Sequence, residues 1–170
     1  MDKYYDSIAR GYDELYSQEQ THKLGIIVSV LEKNKFKLDS VLDVGSGTLL
    51  AYPFFSHLDY YALEPSKNLV NNSKYLAKII GENIHIMTAE DFDYFPVSLI
   101  LCLSVIHHVK KKDEVLKKFS ENCDVCVISI LKRYPAKALV KKKIETYFDI
   151  IHEHNESKDD ILFCKPKLFK

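Results

Sequence analysis

The sequence predicts an α/β fold built on a doubly wound, mostly parallel sheet of about seven strands. Helical and strand patterns alternate along the chain, which is typical of strand–helix–strand units. Two strand segments, residues 97–103 and 125–131, are almost entirely apolar, as expected for parallel strands buried on both faces. A polar turn at residues 155–160 separates two further strand segments and predicts a C-terminal antiparallel hairpin.

The spacing of apolar residues assigns the other elements in chain order. Residues 5–16 and 24–31 have helical spacing, and the Ser-Gln-Glu-Gln segment at residues 17–20 indicates a capping box that starts the second helix. Ser66 is the expected N-cap of a helix that Gly81 ends in the left-handed conformation. The remaining predicted strands are residues 41–44, 60–63, 84–87, 147–153 and 161–164, and the remaining predicted helices are residues 48–55, 113–119 and 136–146.

The composition is that of an ordinary globular domain without a global charge. The chain has 170 residues, and its 24 Lys+Arg residues balance its 24 Asp+Glu residues. We therefore expect one domain over residues 1–170, with no field that recruits nucleic acid or a membrane. No apolar run approaches the roughly 20 residues that span a bilayer, and the N-terminal segment lacks the apolar core of a signal peptide. We expect a cytoplasmic protein, monomeric or homodimeric.

The four cysteines do not indicate a metal site. Cys123 and Cys126 have CxxC spacing, but a zinc site needs a second pair and the sequence has none. A redox motif would open a helix, whereas Cys126 lies inside a run that is typical of a strand. We therefore expect no bound metal.

The segment at residues 41–48, Val-Leu-Asp-Val-Gly-Ser-Gly-Thr, joins the first predicted strand to a helix. Gly45 and Gly47 permit positive φ and let a ligand approach the backbone, and the following helix directs free N–H groups towards it. Glu64 ends the next strand, 21 positions after Asp43. A carboxylate at that point can accept hydrogen bonds from both hydroxyls of a ribose. The pattern favours a ribose-containing ligand, with a bare strand-to-helix turn as the alternative.

Two residues argue against a dinucleotide at this loop. The dinucleotide fingerprint G-x-G-x-x-G/A ends on a small residue, but the last position here is Leu50, which would obstruct the close approach of helix and strand. Asp43 would repel a pyrophosphate, whereas it suits a ligand with a positively charged amino acid group. A nicotinamide-dependent oxidoreductase is therefore the weakest of the alternatives.

Five segments, taken in order, resemble the class I S-adenosylmethionine (SAM)-dependent methyltransferases, particularly the type 11 group that includes quinone-biosynthesis methyltransferases. They are residues 41–47 (motif I), 61–66 (YALEPS, motif II), 88–92 (TAEDF, the segment that faces the adenine), 103–109 (LSVIHHV, the strand-four motif) and 5–13 (YDSIARGYD, the N-terminal helix that closes over SAM). The resemblance covers residues 4–131 and implies a Rossmann-like fold in which residues 1–35 form a helical cap over the cofactor site.

The resemblance also implies residue roles. Asp43 would orient the amino group of the methionine moiety, Glu64 would bind the ribose hydroxyls, and Ser104 would line the pocket beneath the sulfonium. The full set of implied cofactor-binding residues is Tyr12, Asp43, Gly45, Ser46, Gly47, Glu64, Pro65, Thr88, Ala89, Glu90, Leu103 and Ser104. The implied cofactor is SAM, with S-adenosylhomocysteine as its product.

Two positions depart from the family pattern. The family loop often reads GxGxG, and its third glycine is Leu49 here. The adenine segment usually carries Asp or Asn where this chain has Thr88, which leaves Glu90 or a backbone N–H for the exocyclic amine. These departures keep open a SAM-binding scaffold without turnover.

The methyl acceptor is not identified by any motif, and we expect a small molecule. His107 and His108 are the candidate general bases, because an unperturbed histidine titrates near pH 6.5, although packing or capping is the alternative role for both. A basic run between residues 132 and 143 would serve an RNA or protein acceptor, or else form a solvated helix face.

Overall fold

The computed structural model of the chain describes the backbone of residues 12–167 and the side chains of residues 18–167. The helices are α1 (Tyr12–Lys33), α2 (Tyr52–Phe55), α3 (Lys67–Asn72), α4 (Lys74–Ile80), α5 (Lys112–Glu121) and α6 (Lys137–Tyr147). The strands are β1 (Ser40–Val44), β2 (Asp59–Leu63), β3 (Ile84–His85), β4 (Val97–Leu103), β5 (Cys123–Leu131), β6 (Phe148–Asn155) and β7 (Asp159–Pro166). Most of the helix predicted over residues 5–16 lies outside the described residues.

The described strands form a seven-stranded sheet in the order β3-β2-β1-β4-β5-β7-β6. The pairs β1–β2, β2–β3 and β4–β5 are parallel, whereas β7 is antiparallel to both β5 and β6. The predicted Rossmann-like sheet of about seven strands with an antiparallel C-terminal hairpin is therefore confirmed. The structure adds that β7, the last strand in the sequence, lies between β5 and β6.

The chain divides into two compact units, residues 1–88 and residues 89–170. The described part of the first unit holds β1 to β3 with α1 to α4, and the second holds β4 to β7 with α5 and α6. None of the described helices is long and apolar enough to cross a membrane.

The core of the second unit follows from its apolar strands. Six of the seven β4 residues and six consecutive β5 residues are buried, as the continuous apolar runs predict for central parallel strands. The buried thiols of Cys102, Cys126 and Cys164 belong to this core, and burial raises the pKa of the Cys126 thiol. Among the described residues no group of three or more His, Cys, Asp or Glu side chains is arranged to hold a metal ion.

The capping box predicted at residues 17–20 is wrong, because α1 runs without a break from Tyr12 to Lys33. No glycine or proline interrupts the first half of that helix, and Ser, Gln and Glu are tolerated in helix interiors. The four-residue pattern of a capping box therefore occurs here inside a continuous helix.

The segment after the glycine loop is less helical than the predicted helix over residues 48–55. Only Tyr52–Phe55 is α-helical, and Pro53 lies in its first turn as expected. The physical reason is Leu49, whose φ of 63° is incompatible with a right-handed helix. Leu49 is fully buried, so its packing holds a conformation that an L-residue disfavours.

The single helix predicted between Ser66 and Gly81 is divided into α3 and α4 at Ser73. The Ser66 hydroxyl accepts a hydrogen bond from the backbone N–H of Leu69 at 3.3 Å, which confirms it as the N-cap. Ser73 has non-helical angles, and its hydroxyl donates to the carbonyl oxygen of Thr48 at 2.6 Å. That bond offers the backbone an alternative to the helix. Gly81 ends α4 with φ of 63°, but its ψ of −125° differs from the predicted left-handed helical value.

Strand β3 has only two residues instead of the predicted four, because its partner ends at Leu63, opposite His85. The C-terminal hairpin is longer than predicted. Strand β6 ends only at Asn155, and strand β7 already begins at Asp159. Asp159 and Asp160, which the sequence placed in the turn, are buried residues of β7.

Substitutions at Leu49 test whether its backbone is strained. Leu49→Gly and Leu49→Ala both lose a buried side chain, at a cost of about 2–5 kcal/mol. Only glycine also relieves the positive φ, a strain of roughly 1–2 kcal/mol, so we expect Leu49→Gly to be more stable than Leu49→Ala by about 1 kcal/mol. Urea unfolding measures both free energies.

Leu24 is the matched control, because it is buried in the regular helix α1. There the order is expected to reverse, with Leu24→Gly less stable than Leu24→Ala by about 1 kcal/mol. An alanine variant at Leu49 that is more stable than the glycine variant would show that the backbone is not strained.

Candidate active site

The loop after β1 is held by backbone bonds to the end of β2. The N–H groups of Gly45 and Ser46 both donate to the carbonyl oxygen of Leu63, at 2.7 and 3.2 Å. Gly45 and Gly47 have φ values of 72° and 55°, so both glycines are required by the turn. The loop therefore leaves the carboxyl edge of β1 in a fixed, tightly turned conformation.

Glu64 fastens the same loop with its side chain. One carboxylate oxygen accepts from the Gly47 N–H at 2.9 Å, and the other accepts from the Ser66 N–H at 2.8 Å. The residue is only 6% exposed. A carboxylate has about four lone-pair positions and can accept several hydrogen bonds at once. The charge is thus fixed beside the glycine loop, as the predicted role in ribose binding requires.

Ser46 lies between the two glycines and is almost fully buried. Its hydroxyl oxygen has no hydrogen-bond partner among the described residues. A buried polar atom without a partner costs free energy, commonly about 1–3 kcal/mol, and such atoms in native structures call for an explanation. A polar ligand group at the loop would supply the partner.

Asp43 is a second buried acid beside this loop. Its carboxylate accepts from the Tyr60 hydroxyl at 2.5 Å, and the Tyr60 ring is in turn packed edge-on against Tyr52. Burial raises the pKa of Asp43 to about 7; the Tyr60 hydrogen bond opposes this shift, and the nearby charge of Glu64 adds to it. Two carboxylates in this position disfavour an anionic ligand and favour a cationic one.

In the second unit, Ala89 and Glu90 are tied to their surroundings by polar bonds. The Tyr94 hydroxyl donates to the Ala89 carbonyl at 2.9 Å, and one Glu90 carboxylate oxygen accepts from the Lys110 N–H at 2.7 Å. The Lys118 ammonium donates to the Glu90 carbonyl at 3.1 Å. The segment before β4 is thereby connected to the loop that follows β4.

Leu103 and Ser104 end β4, and Ser104 begins a buried polar cluster. Ser104 has a φ of 59°, and its N–H donates to the Ser129 hydroxyl at 2.8 Å. The Ser104 hydroxyl donates to a carboxylate oxygen of Asp159 at 3.2 Å. Because β4 and β5 are parallel and β7 is antiparallel to them, these three side chains meet at one edge of the sheet.

The two candidate histidines lie just beyond this cluster. The rings of His107 and His108 are 4.1 Å apart, and the His107 ring is 5.5 Å from that of Tyr134. Burial, followed by the neighbouring His108, lowers the pKa of His107 to about 4. Its Nδ1 atom is buried without a hydrogen-bond partner among the described residues. His107 is therefore neutral at pH 7 and has a free ring nitrogen.

Four of the six basic residues between positions 132 and 143 are paired with three acids from other elements. The sequence shows no acid within the run, but the fold brings carboxylates from β6, β7 and the start of α5 beside it. The ion pairs are Lys132–Asp160, Lys137–Asp160, Lys141–Glu153 and Lys143–Asp113. The run is a paired surface, which favours the solvated-face interpretation over a nucleic-acid site.

The predicted cofactor residues fall into two groups in the structure. In the first unit, one edge of β1 and β2 carries Asp43, Gly45, Ser46, Gly47, Glu64 and Pro65. Thr88 is half-buried at the end of that unit, and Ala89, Glu90, Leu103 and Ser104 belong to the second. Tyr12 starts α1, but its side chain lies outside the described side chains.

Sequence reasoning missed Tyr60, Ser129 and Asp159. Ser129 carried a usable signal, because it is the only hydroxyl residue in the otherwise apolar run of β5. Tyr60 and Asp159 carried none. A tyrosine is ordinary in a strand, and an Asp-Asp pair is ordinary in a turn.

No protein-family model matches the chain, and no curated protein matches it in sequence. Solved methyltransferase structures do match it in fold. A SAM-dependent methyltransferase from Clostridium acetobutylicum is 12% identical, with a TM-score of 0.76, over 95% of this chain and 98% of that one. The magnesium protoporphyrin IX methyltransferase of Synechocystis, solved with bound SAM, is 15% identical, with a TM-score of 0.69, over 87% of this chain and 80% of that one.

A Pyrococcus horikoshii protein for which an RNA methyltransferase activity has been suggested is also similar in fold. It is 18% identical, with a TM-score of 0.65, over 85% of this chain and 80% of that one. The chain therefore has the fold that these methyltransferases share, while the identities are too low to carry over an acceptor.

Asp43→Asn tests the buried acid. Because the folded state raises this pKa from 3.8 to about 7, folding retains a proton that the unfolded chain releases, and stability is lost as pH rises towards 7. Asparagine removes this loss. We expect the variant to gain about 2 kcal/mol on wild type between pH 5 and pH 8, measured by urea unfolding. Tyr60→Phe should lower the free energy of unfolding at pH 8, because the ionised Asp43 loses its hydrogen bond. If the free energies of unfolding of wild type and Asp43→Asn change with pH in parallel, the raised pKa of Asp43 is contradicted.

An NMR titration tests the environment of His107. We expect its ring resonances, assigned with His107→Gln, to titrate near pH 4 because burial disfavours the charged ring. Tyr134→Ala uncovers the ring and should move the midpoint up towards 6.5. A wild-type midpoint already near 6.5 would show that the ring is not buried.

Proposed function

We propose that the protein is a SAM-dependent methyltransferase whose acceptor is a small molecule. The observation that carries the proposal is the Glu64 carboxylate, buried and fixed by the Gly47 and Ser66 N–H groups at the carboxyl edge of β1 and β2. A pre-positioned carboxylate beside a glycine loop is the chemistry that recognises a ribose diol. The methyltransferase fold is consistent with it.

The polar groups at the loop fit SAM. Glu64 would accept hydrogen bonds from the ribose hydroxyls, and the Ser46 hydroxyl, which has no partner among the described residues, would bond to the methionine moiety. Asp43 would hold the ammonium group, and that positive charge would stabilise its ionised form. The remaining proposed cofactor residues are Tyr12, Gly45, Gly47, Pro65, Thr88, Ala89, Glu90, Leu103 and Ser104.

The same charges disfavour a dinucleotide. A pyrophosphate at this loop would meet Asp43 and Glu64, both buried and both acidic. Leu49 does not argue against SAM, because it adopts the positive φ that a third glycine would supply. The family departure at this position therefore changes the stability of the loop and leaves the turn in place.

Bound SAM supplies a methyl group on a sulfonium, which is already activated for in-line displacement. The protein then mainly needs to align the acceptor, and orientation supplies at most about 7–11 kcal/mol in such reactions. Neutral His107, whose buried Nδ1 has no hydrogen-bond partner among the described residues, is the proposed proton acceptor for a nucleophile that must lose a proton. His108 packs beside it.

A small acceptor is favoured over RNA by the pairing of the lysines. Neutralisation of phosphates needs unpaired cations, whereas Lys137, Lys141 and Lys143 are each within ion-pair distance of an acid. A SAM-binding scaffold without turnover would bind the cofactor and methylate nothing, so it is separated from the enzyme by an acceptor screen.

Thermal denaturation tests the cofactor. At about 100 times its Kd, S-adenosylhomocysteine should stabilise the fold by about 2.7 kcal/mol, which raises Tm by roughly 5–10 °C for a chain of this size. NAD should give no shift. Glu64→Ala should abolish the shift, because the ribose diol loses its partner.

Asp59→Asn is the matched control, since Asp59 is an exposed acid at the start of β2, the strand that Glu64 follows. It should keep the full shift. A Glu64→Ala variant that folds and still binds with wild-type affinity would show that Glu64 has no part in recognition. Absence of any shift with SAM or its product at millimolar concentration would refute the proposed function.

A further inference from the structure

The second unit has a surface cavity of about 470 Å³ beside the loop that follows β4. Ligand pockets commonly measure about 300–1,000 Å³, so a small organic molecule fits. Its lining contains a basic group of residues and an apolar group. Its lining residues include Lys110, Lys112, Tyr134, Leu139, Val140 and Lys143.

The basic side has an excess of positive charge. Four lysines line the cavity with two acids, and two of the lysines are paired, as Lys111 with Glu114 and Lys143 with Asp113. Lys110 and Lys112 form no ion pair with the described acids, although the Glu90 carboxylate accepts from the Lys110 backbone N–H and its charge acts on Lys112. A single carboxylate bound there would compensate one of these two cations.

Lys112 is held in place by the protein itself. Its ammonium group donates to the backbone carbonyl of His107 at 3.3 Å and also to that of Val109. Burial, followed by the charge of Lys143, lowers its pKa. The cation is therefore partly desolvated and positioned, unlike a freely moving surface lysine.

The apolar lining includes a leucine that is otherwise exposed to solvent. Leu139 is 57% exposed on α6, and it lines the cavity with Tyr134 and with buried Val140. An aromatic or aliphatic body lying on this wall would cover the leucine. The cavity thus combines one cationic corner with one apolar wall.

Tyr134 connects the cavity to the candidate histidines. Its ring lines the cavity and also packs 5.5 Å from the ring of His107. Lys112 also donates to the His107 carbonyl, so two residues of the cavity lining, Tyr134 and Lys112, contact His107.

We propose that this cavity is the acceptor subsite and that it binds a small carboxylate with an apolar, preferably aromatic, body. The assignment of the occupant as acceptor rests on the proposed function; the binding of the anion does not. The anionic group is recognised by Lys110 and Lys112, and the body by Tyr134 and Leu139.

Calorimetric titration of the full chain with naphthoate tests the subsite. Naphthamide is the neutral analogue of nearly equal shape, and it should bind at least about tenfold more weakly, because a charge-assisted bond is worth about 1.5–3 kcal/mol. Three variants should each lower the affinity for naphthoate several-fold: Lys110→Gln, Lys112→Gln and Tyr134→Ala. Lys110 is exposed, so its variant keeps the test valid where replacement of Lys112 disturbs the loop.

Lys117→Gln is the control, since Lys117 lies on the same helix as Lys112, is 63% exposed and does not line the cavity. It should bind naphthoate like wild type. Naphthoate should also shift the NMR resonances of His107 and leave those of His154, on β6, in place. Equal binding of naphthoate and naphthamide, or wild-type affinity in both lysine variants, would overturn the subsite.

Binding of S-adenosylhomocysteine, measured on the same samples, separates the two proposals. Cofactor binding without naphthoate binding overturns the subsite alone. Naphthoate binding without cofactor binding supports an anion site and overturns the methyltransferase.

Discussion

The hydrogen bonds of the Glu64 carboxylate are the constraint on which the first unit depends. One side chain joins the loop after β1 to the start of α3, because its two oxygens accept from Gly47 and from Ser66. Both N–H groups lie where a turn or a helix start leaves a donor without a partner, and a buried donor must be paired. Ser66 then caps α3 with its own hydroxyl. The conformation of the loop, the direction of α3 and the position of a buried charge are therefore determined together.

This arrangement concentrates negative charge where the backbone is tightest. Burial and the charge of Glu64 disfavour the ionised form of Asp43, and the Tyr60 hydroxyl offsets only part of this cost. Perturbed acids of this kind cluster at functional sites, and the proposed ligand, a cation with a ribose diol, would offset the cost at Asp43. The strained backbone at Leu49 belongs to the same pattern, since functional loops often hold conformations that the surrounding packing must enforce.

Much of this was predictable from the sequence, because apolar periodicity and turn chemistry act locally. The continuous apolar runs of β4 and β5, the Ser66 cap and the two glycines follow from such rules. The break at Ser73 does not, because it depends on the Thr48 carbonyl, 25 positions away in the sequence. Asp159 is a similar case: its role depends on Ser104, 55 positions away. Long-range polar contacts have no periodic signature in the sequence. The glycine loop after β1 was therefore predicted better than the polar cluster of Ser104, Ser129 and Asp159.

The candidate functional groups of the second unit are a weakly basic histidine and a positioned lysine. His107 is neutral and weakly basic at pH 7, and the Lys112 ammonium that donates to its backbone carbonyl forms no ion pair with the described acids. An activated methyl donor needs little more, because displacement at a sulfonium requires alignment, and a base only when the nucleophile must lose a proton. The proposed acceptor subsite, with a positioned cation and an aromatic residue, would meet that need by holding both the charged and the apolar part of an acceptor. In that subsite an acceptor would be selected by the positions of its charge and its apolar body, and the same groups at the end of β4 would serve different nucleophiles.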